Sequence, residues 1–203
     1  MMKKRGSTSA PKKRVGPARR RKTARPGMRV LYSDKQIRKR VLELAKQIDR
    51  DYRGKVLHAV GILEQCFMFM ADLTRALKVP VICHFVRPEI RERSEGSLAF
   101  REIRYTPEID ARGKDVLLVD GILQSGVTLD HLVRSMLAQG PASVRTACLI
   151  EKTTERKVDV TTDYVGFKSP AKLVVGYGLG LEGQFHNLPY LAQLRGSNVP
   201  TRV

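Results

Sequence analysis

Residues 115–132 read DVLLVDGILQSGVTLDHL, and the rest of the chain is organised around the way this stretch folds. Val116, Leu117, Leu118 and Val119 are an uninterrupted apolar run, the pattern of a strand covered on both faces. A turn containing Ser125, Gly126 and Thr128 follows. From about Val127 to Gln139 the apolar residues recur at helical spacing, and Gly140 closes the helix. The backbone N–H groups at the start of a helix, beside a glycine that lets an anion approach, form a phosphate cradle. A strand, turn and helix with a single glycine is a nonspecific signal when taken by itself.

Outward from this unit, similar units repeat without any internal sequence repeat. Ser33 followed by Gln36 reads as a capping box, and Ile37, Val41, Leu44 and Ile48 then mark one face of a helix that Gly54 ends. Val56–Ile62 reads as a buried strand, Phe67–Leu77 as a second helix stopped before Pro80, and Val81–Val86 as another strand. Arg87–Tyr105 is highly charged, and its alternation from Ser97 onward predicts an exposed strand pair. Val144–Ile150, Tyr164–Phe167 and Leu173–Tyr177 supply further strands. Helices alternating with strands at these intervals predict an α/β fold with a mostly parallel sheet flanked by helices.

The chain has 203 residues and a net charge of +18, and 42% of its residues are hydrophobic, enough to build a core. No apolar run is long enough to span a bilayer, and the N-terminus lacks the apolar segment of a secretory signal. These features predict a cytoplasmic protein without membrane partners. Cys66, Cys83 and Cys148 are widely spaced in apolar surroundings, as expected of reduced core thiols. His58, His84, His131 and His186 are scattered, with no metal-ligand spacing, and read as surface or core-edge residues. Glu108 and Asp110 beside Pro107 read as solvated loop residues.

The positive charge is concentrated at one end. Residues 1–29 contain twelve Lys or Arg and no acid; the remaining 174 residues carry a net +6. Pro11, Pro17 and Pro26, with Gly6, Gly16 and Gly27, preclude a regular helix there, so residues 1–31 read as a disordered basic arm and residues 32–203 as the folded domain. Clusters such as Lys12, Lys13, Arg14 and Arg19, Arg20, Arg21, Lys22, separated by flexible spacers, suit phosphates in irregular grooves. The arm has no aromatic residue to stack on bases, so little sequence specificity is expected. With no recognition helix visible, RNA, ribosomal RNA included, is favoured over DNA as the partner.

The segment Asp115–Leu132 resembles the phosphoribosyl-pyrophosphate motif of type I phosphoribosyltransferases. Gly61–Leu77 (GILEQCFMFMADLTRAL) and Val144–Gly180 narrow the resemblance to the hypoxanthine-guanine phosphoribosyltransferases over roughly residues 32–195. It implies a parallel sheet with a small hood, and a reaction of magnesium-bound phosphoribosyl pyrophosphate with a purine to give the nucleotide and pyrophosphate. It further implies that Ser125, Gly126, Val127 and Thr128 hold the 5′-phosphate and Asp120 the ribose hydroxyls. On the purine side it implies Lys152, Leu173 and Val174.

Other positions depart from the family pattern. A Lys-Gly pair that receives pyrophosphate is Glu64-Gln65 here. An acidic pair is Asp120-Gly121, so one carboxylate remains. The acid that accepts or orients the purine's proton is Gln124, and an amide is no base near pH 7. The aromatic residue that stacks on the base is Leu173. The acid on the metal side is Gly180, the arginine after it His186, and the Ser-Tyr pair of the closing loop is missing from RERSEGSLAF (91–100). The expectation is therefore a catalytically degenerate member with no catalytic residues of its own, associated with nucleic acid through its arm. A working purine salvage enzyme and a purine-nucleotide-sensing regulator are the alternatives. No cofactor is required on this reading, magnesium entering only with activity. A purine nucleotide and a second copy of the chain are further candidate partners.

Overall fold

The computed structural model describes residues 27–95, 98–106 and 109–194. The basic clusters of residues 1–26, and Ser97 and Glu108, lie outside the described residues.

Two sheets form the fold. The larger has the order β4-β3-β2-β5-β6-β7, where β2 is Leu57–Ile62, β3 Val81–Glu95, β4 Leu98–Thr106, β5 Asp115–Leu123, β6 Ser143–Lys152 and β7 Tyr164–Ser169. β3, β2, β5, β6 and β7 run parallel, and β4 pairs antiparallel with the outer half of β3. Helices α1 (Asp34–Asp51) and α2 (Phe67–Ala76) cover one face, and α3 (Val127–Leu137) covers the other. This is the α/β architecture that the alternating pattern predicts.

The sequence signals act locally as expected. Ser33 Oγ accepts from the Gln36 backbone at 3.4 Å, and Gln36 Oε1 accepts from the Ser33 N–H at 2.9 Å, so the capping box is formed. The α1 residues Ile37, Val41, Leu44, Ala45 and Ile48 are all buried against the sheet, Leu44 and Ile48 completely.

Three readings need correction. Met28–Tyr32 is a strand, β1, which pairs antiparallel with β9 (Leu191–Leu194), so the described domain begins inside the segment read as arm. Leu173–Tyr177 is not a strand of the main sheet; only Val174–Val175 pairs, as β8, with β9 in a small sheet of order β1-β9-β8. Such short strands gain their partners from distant sequence, which a local pattern does not reveal. The strand read as Val81–Val86 continues as β3 to Glu95, and with Leu98–Thr106 it forms the strand pair expected within Arg87–Tyr105. Tyr32 stacks on Phe167 with centroids 3.9 Å apart and donates to the Lys168 carbonyl at 3.0 Å, which fastens the small sheet to β7.

Cys66 and Cys148 are buried thiols as expected, but Cys83, on β3, is exposed and is not a core thiol. The histidines are less scattered than their positions suggest. His58 on β2 and His84 on β3 are adjacent, with Nδ1 and Nε2 3.1 Å apart and the rings stacked. Burial lowers the pKa of each below the ordinary value, and Lys114 lowers both further, while Asp115 opposes this at His58. A histidine whose folded pKa is depressed favours the unfolded chain once the unfolded chain takes up its proton. Stability should therefore fall as pH drops through about 6.5 toward the folded pKa values. Melting temperatures between neutral and mildly acidic pH should show this decline, and the double variant His58→Asn/His84→Asn should flatten it. An identical decline in the variant would assign it to other groups.

Candidate functional site

In open α/β sheets ligands bind outside the carboxyl ends of the strands, where neighbouring connections leave in opposite directions. Here β2 connects outward to β3 and β5 connects outward to β6, so the crevice opens between the ends of β2 and β5. A cleft of about 250 Å³ is found there. One wall is Ile62–Gln65, just past β2, and the other runs from Asp120 on β5 through Gln124, Ser125 and Gly126 to Thr128 on α3.

Gly126 is the N-cap of α3 with φ of 84°, a left-handed backbone that glycine adopts without steric cost. A Cβ there would meet Val160 Cγ1 at 2.9 Å and the Val158 carbonyl at 3.0 Å. The segment 156–160 thus packs under the turn, and Lys157 and Val158 both donate to the Ser125 carbonyl. Arg156 is held by Glu151 at 2.6 Å; its Nη1 is buried and has no hydrogen-bond partner among the described residues. This support fixes the turn without using the N–H groups at the start of α3.

Asp120 is partly buried, and burial pushes its carboxyl up to about 6 against the opposing backbone N–H groups of Ile122 and Gly121. It is ionised at neutral pH and able to accept from a hydroxyl. Of the predicted site residues, Asp120, Gln124, Ser125, Gly126 and Thr128 line the cleft together. Val127 is on the first turn of α3 and exposed. Lys152, Leu173 and Val174 do not line that cleft; Lys152 follows Glu151, which registers with Leu123 at the cleft wall. Lys152 is buried, with a side chain 1% exposed, and its ammonium donates to Glu155 Oε1 at 2.9 Å and to the Lys172 carbonyl. Two of its three N–H bonds are therefore taken by the protein. The Leu173 carbonyl accepts from Leu194, and Val174 pairs with Gln193 across β8 and β9.

The departures from the family pattern turn out to be physically linked. A Cβ at Gly121 would be 2.2 Å from the Gln65 carbonyl oxygen, so the loop after β2 occupies the space of any side chain there. A Cβ at Gly180 would be 2.0 Å from His186 Nε2, while His186 Nδ1 is 2.8 Å from the Gly178 carbonyl. Glu64 pairs with Arg87 at 2.8 Å, so its charge is matched, although both side chains are well exposed and such a pair contributes little energy. Glu64, Arg87, Gly180 and His186 border a second cleft of about 340 Å³ next to the first. Sequence reasoning treated Gly121 and Glu64-Gln65, or Gly180 and His186, as separate losses; the contacts join each set into one unit.

Comparison with known proteins agrees with this architecture. The phosphoribosyl transferase domain model matches residues 30–180. The hypoxanthine-guanine phosphoribosyltransferase of Dictyostelium discoideum is 36% identical over 170 residues, 82% of this chain and 94% of that protein. The Bacillus subtilis (strain 168) enzyme is 31% identical, over 82% of this chain and 93% of its own length. Among solved structures, a Bacillus anthracis hypoxanthine-guanine phosphoribosyltransferase superposes with a TM-score of 0.70 at 34% identity, covering 81% of this chain and 96% of that one. The Trypanosoma cruzi hypoxanthine phosphoribosyltransferase in complex with IMP gives 0.73 at 32% identity, covering 82% and 93%. With its sheet order, its glycine turn at the start of α3 and matches that span most of both partners, the chain belongs to the hypoxanthine-guanine phosphoribosyltransferase family.

Proposed function

We propose that this protein binds a purine nucleoside 5′-monophosphate at the turn Gln124–Thr128 and has lost efficient formation of that nucleotide. The supporting observation is a contrast within one site. The phosphate side is open, with Ser125, Gly126 and Thr128 at the cleft. On the pyrophosphate side the two positions that carry acids in the family are closed to side chains, by the Gln65 carbonyl over Gly121 and the His186 ring over Gly180, and the cleft beside them carries the carboxylate of Glu64. In this reading the N–H groups at the start of α3 receive the phosphate and Asp120 accepts from the ribose hydroxyls, while Lys152, buried and held by Glu155 and the Lys172 carbonyl, must be uncovered before it can meet a purine.

The family implies magnesium in catalysis, and the residues here do not fit it well. Two of the positions that carry acids in the family pattern are Gly121 and Gly180, whose side-chain space is taken. Among the described residues no group of three or more His, Cys, Asp or Glu could hold a metal ion. No catalytic step through the ion is therefore derived.

Calorimetric titration tests the binding reading. IMP or GMP should bind, and phosphoribosyl pyrophosphate, whose pyrophosphate would meet the Glu64 carboxylate, should bind more weakly. The reverse order would overturn it. Purine salvage proper is the second reading, favoured by the 31–36% identity to purine salvage enzymes over nearly their whole length.

We further propose that the basic arm binds RNA. Residues 1–29 carry twelve cations and no acid, and the family match starts only at residue 30. If about half of those cations meet phosphates, log K against log salt should slope at about −4. Replacing Arg19, Arg20, Arg21 and Lys22 with alanine should reduce that slope by up to about 3, without changing any sequence preference or the melting temperature. Unchanged salt dependence in this variant would remove the arm from the contact.

A further inference from the structure

We infer that the folded domain carries its own binding surface for single-stranded RNA, the groove between α1 and α2. Two clefts of about 390 and 580 Å³ lie along this seam and share Leu42 and Ala76, so they form one continuous channel.

The excess of positive charge lies in the larger of the two clefts. Along the exposed face of α1, Lys35, Lys39, Leu42, Lys46, Arg50 and, just past the helix, Arg53 recur every three or four positions as one stripe. Of these, Leu42, Lys46, Arg50 and Arg53 line that cleft. Lys78, just past α2, faces the same cleft as Lys46 and Arg53. Lys46, Arg53 and Lys78 form no ion pair among the described residues. The lining also holds three acids: Asp49, Asp72, and Asp34, which pairs with Arg38. Asp49 accepts from the backbone N–H groups of Lys78 and Val79, at 2.7 and 3.1 Å. Asp72 holds Arg75 and the Tyr177 hydroxyl. What remains for a visitor, in the larger cleft, is the three cations Lys46, Arg53 and Lys78 over an apolar floor of Leu42, Ala76, Val79 and Pro80.

This surface selects its occupant by charge. The chain's own basic arm, with twelve cations and no acid in residues 1–29, is not drawn to this surface. A membrane-surface helix would present a wide apolar face, whereas this stripe contains a single leucine. A recessed channel admits one flexible strand, whereas a duplex presents its phosphates on a convex rod. β1 leads from the arm directly to the start of α1, so a strand held by the arm is delivered to one end of the channel. The inference shares its partner with the arm reading but stands on different residues.

The test uses the full chain and a labelled oligouridylate, with binding followed by anisotropy between about 50 and 200 mM salt. Three lost phosphate contacts in the variant Lys46→Gln/Arg53→Gln/Lys78→Gln should lower the salt slope by about 2. The four alanine substitutions in the arm should lower it independently, and combining the sets should add the two effects. Because the three groove residues are exposed, the melting temperature should not change. If the groove variant keeps the wild-type slope and affinity, the inference is wrong. It is equally overturned if the three substitutions weaken binding to phosphatidylserine vesicles or duplex DNA while leaving oligouridylate binding intact. A slope lowered by the groove set and unaffected by the arm set would support this surface and dismiss the arm reading.

Discussion

Gly126→Glu should abolish binding of IMP or GMP. The substitution does two things at once. It places a non-glycine residue at φ of 84°, and it drives a Cβ to 2.9 Å from Val160 Cγ1 and 3.0 Å from the Val158 carbonyl. The turn must move away from segment 156–160, and the new carboxylate brings a negative charge to the place where the phosphate should sit. Loss of at least 100-fold in affinity is expected, about 3 kcal/mol. Gly126→Ala separates the causes: it carries the strain without the charge, and should weaken binding while leaving it measurable. Both variants are to be checked by near-neutral thermal melts, so that unfolding is not mistaken for a binding defect. Equal affinity in wild type and Gly126→Glu would mean that the phosphate is held elsewhere.

The second large effect concerns restoration of the family's side chains. Gln124→Asp alone should not create activity, although loss of a general base typically costs ~10²–10⁴ in rate, because the remaining parts act as a unit. Gly121→Asp should fail for a different reason. Its Cβ would be 2.2 Å from a backbone oxygen, Gln65 O, and backbone has no rotamer by which to escape. Overpacking of this kind costs about 1–3 kcal/mol or more, read as a lowered denaturation midpoint. Gly180→Asp meets a side chain instead, the His186 ring, and combining it with His186→Arg should recover most of the lost stability. That pair should be strongly non-additive, as contacting residues are. Additive costs would show that Gly180 and His186 are not coupled.

The sequence reports the parts of this fold that depend on neighbouring residues. The capping box at Ser33 and Gln36, the apolar runs of β2, β5 and β6, and the glycine turn before α3 are all local signals, and each is formed as read. The small sheet was poorly legible because β1, β8 and β9 are two to five residues long and β1 finds its partner β9 more than a hundred positions away. The candidate site divides in the same way. Asp120 and the turn Gln124–Thr128 are contiguous, so their meeting in one cleft follows from a single strand-to-helix connection. The link between Gly121 and Gln65, or between Gly180 and His186, is a close approach across loops. No periodicity encodes it; a glycine in the sequence shows only that a side chain is missing, not what took its space. Likewise His58 and His84 become neighbours only through the parallel pairing of β2 with β3.

Asp120 adds a pH dependence of opposite sign to that of the histidines. Its folded pKa of about 6 lies above the ordinary carboxylate value, so the folded state retains the proton that the unfolded chain gives up. Its contribution to stability is present at acidic pH and lost as pH rises toward and through about 6, which sets it against the histidine pair in the mildly acidic range.

The proposed function is a retained nucleotide-binding fold that has lost efficient chemistry at the pyrophosphate side. The most direct test is nucleotide formation by the wild-type full chain, supplied with hypoxanthine or guanine, phosphoribosyl pyrophosphate and magnesium, and followed by separation of labelled purine from labelled nucleotide. The expected result is a rate indistinguishable from the protein-free background. A turnover on the ordinary enzyme scale of ~10 s⁻¹ would contradict it and make the protein a purine salvage enzyme despite Gln124, Gly121 and Gly180.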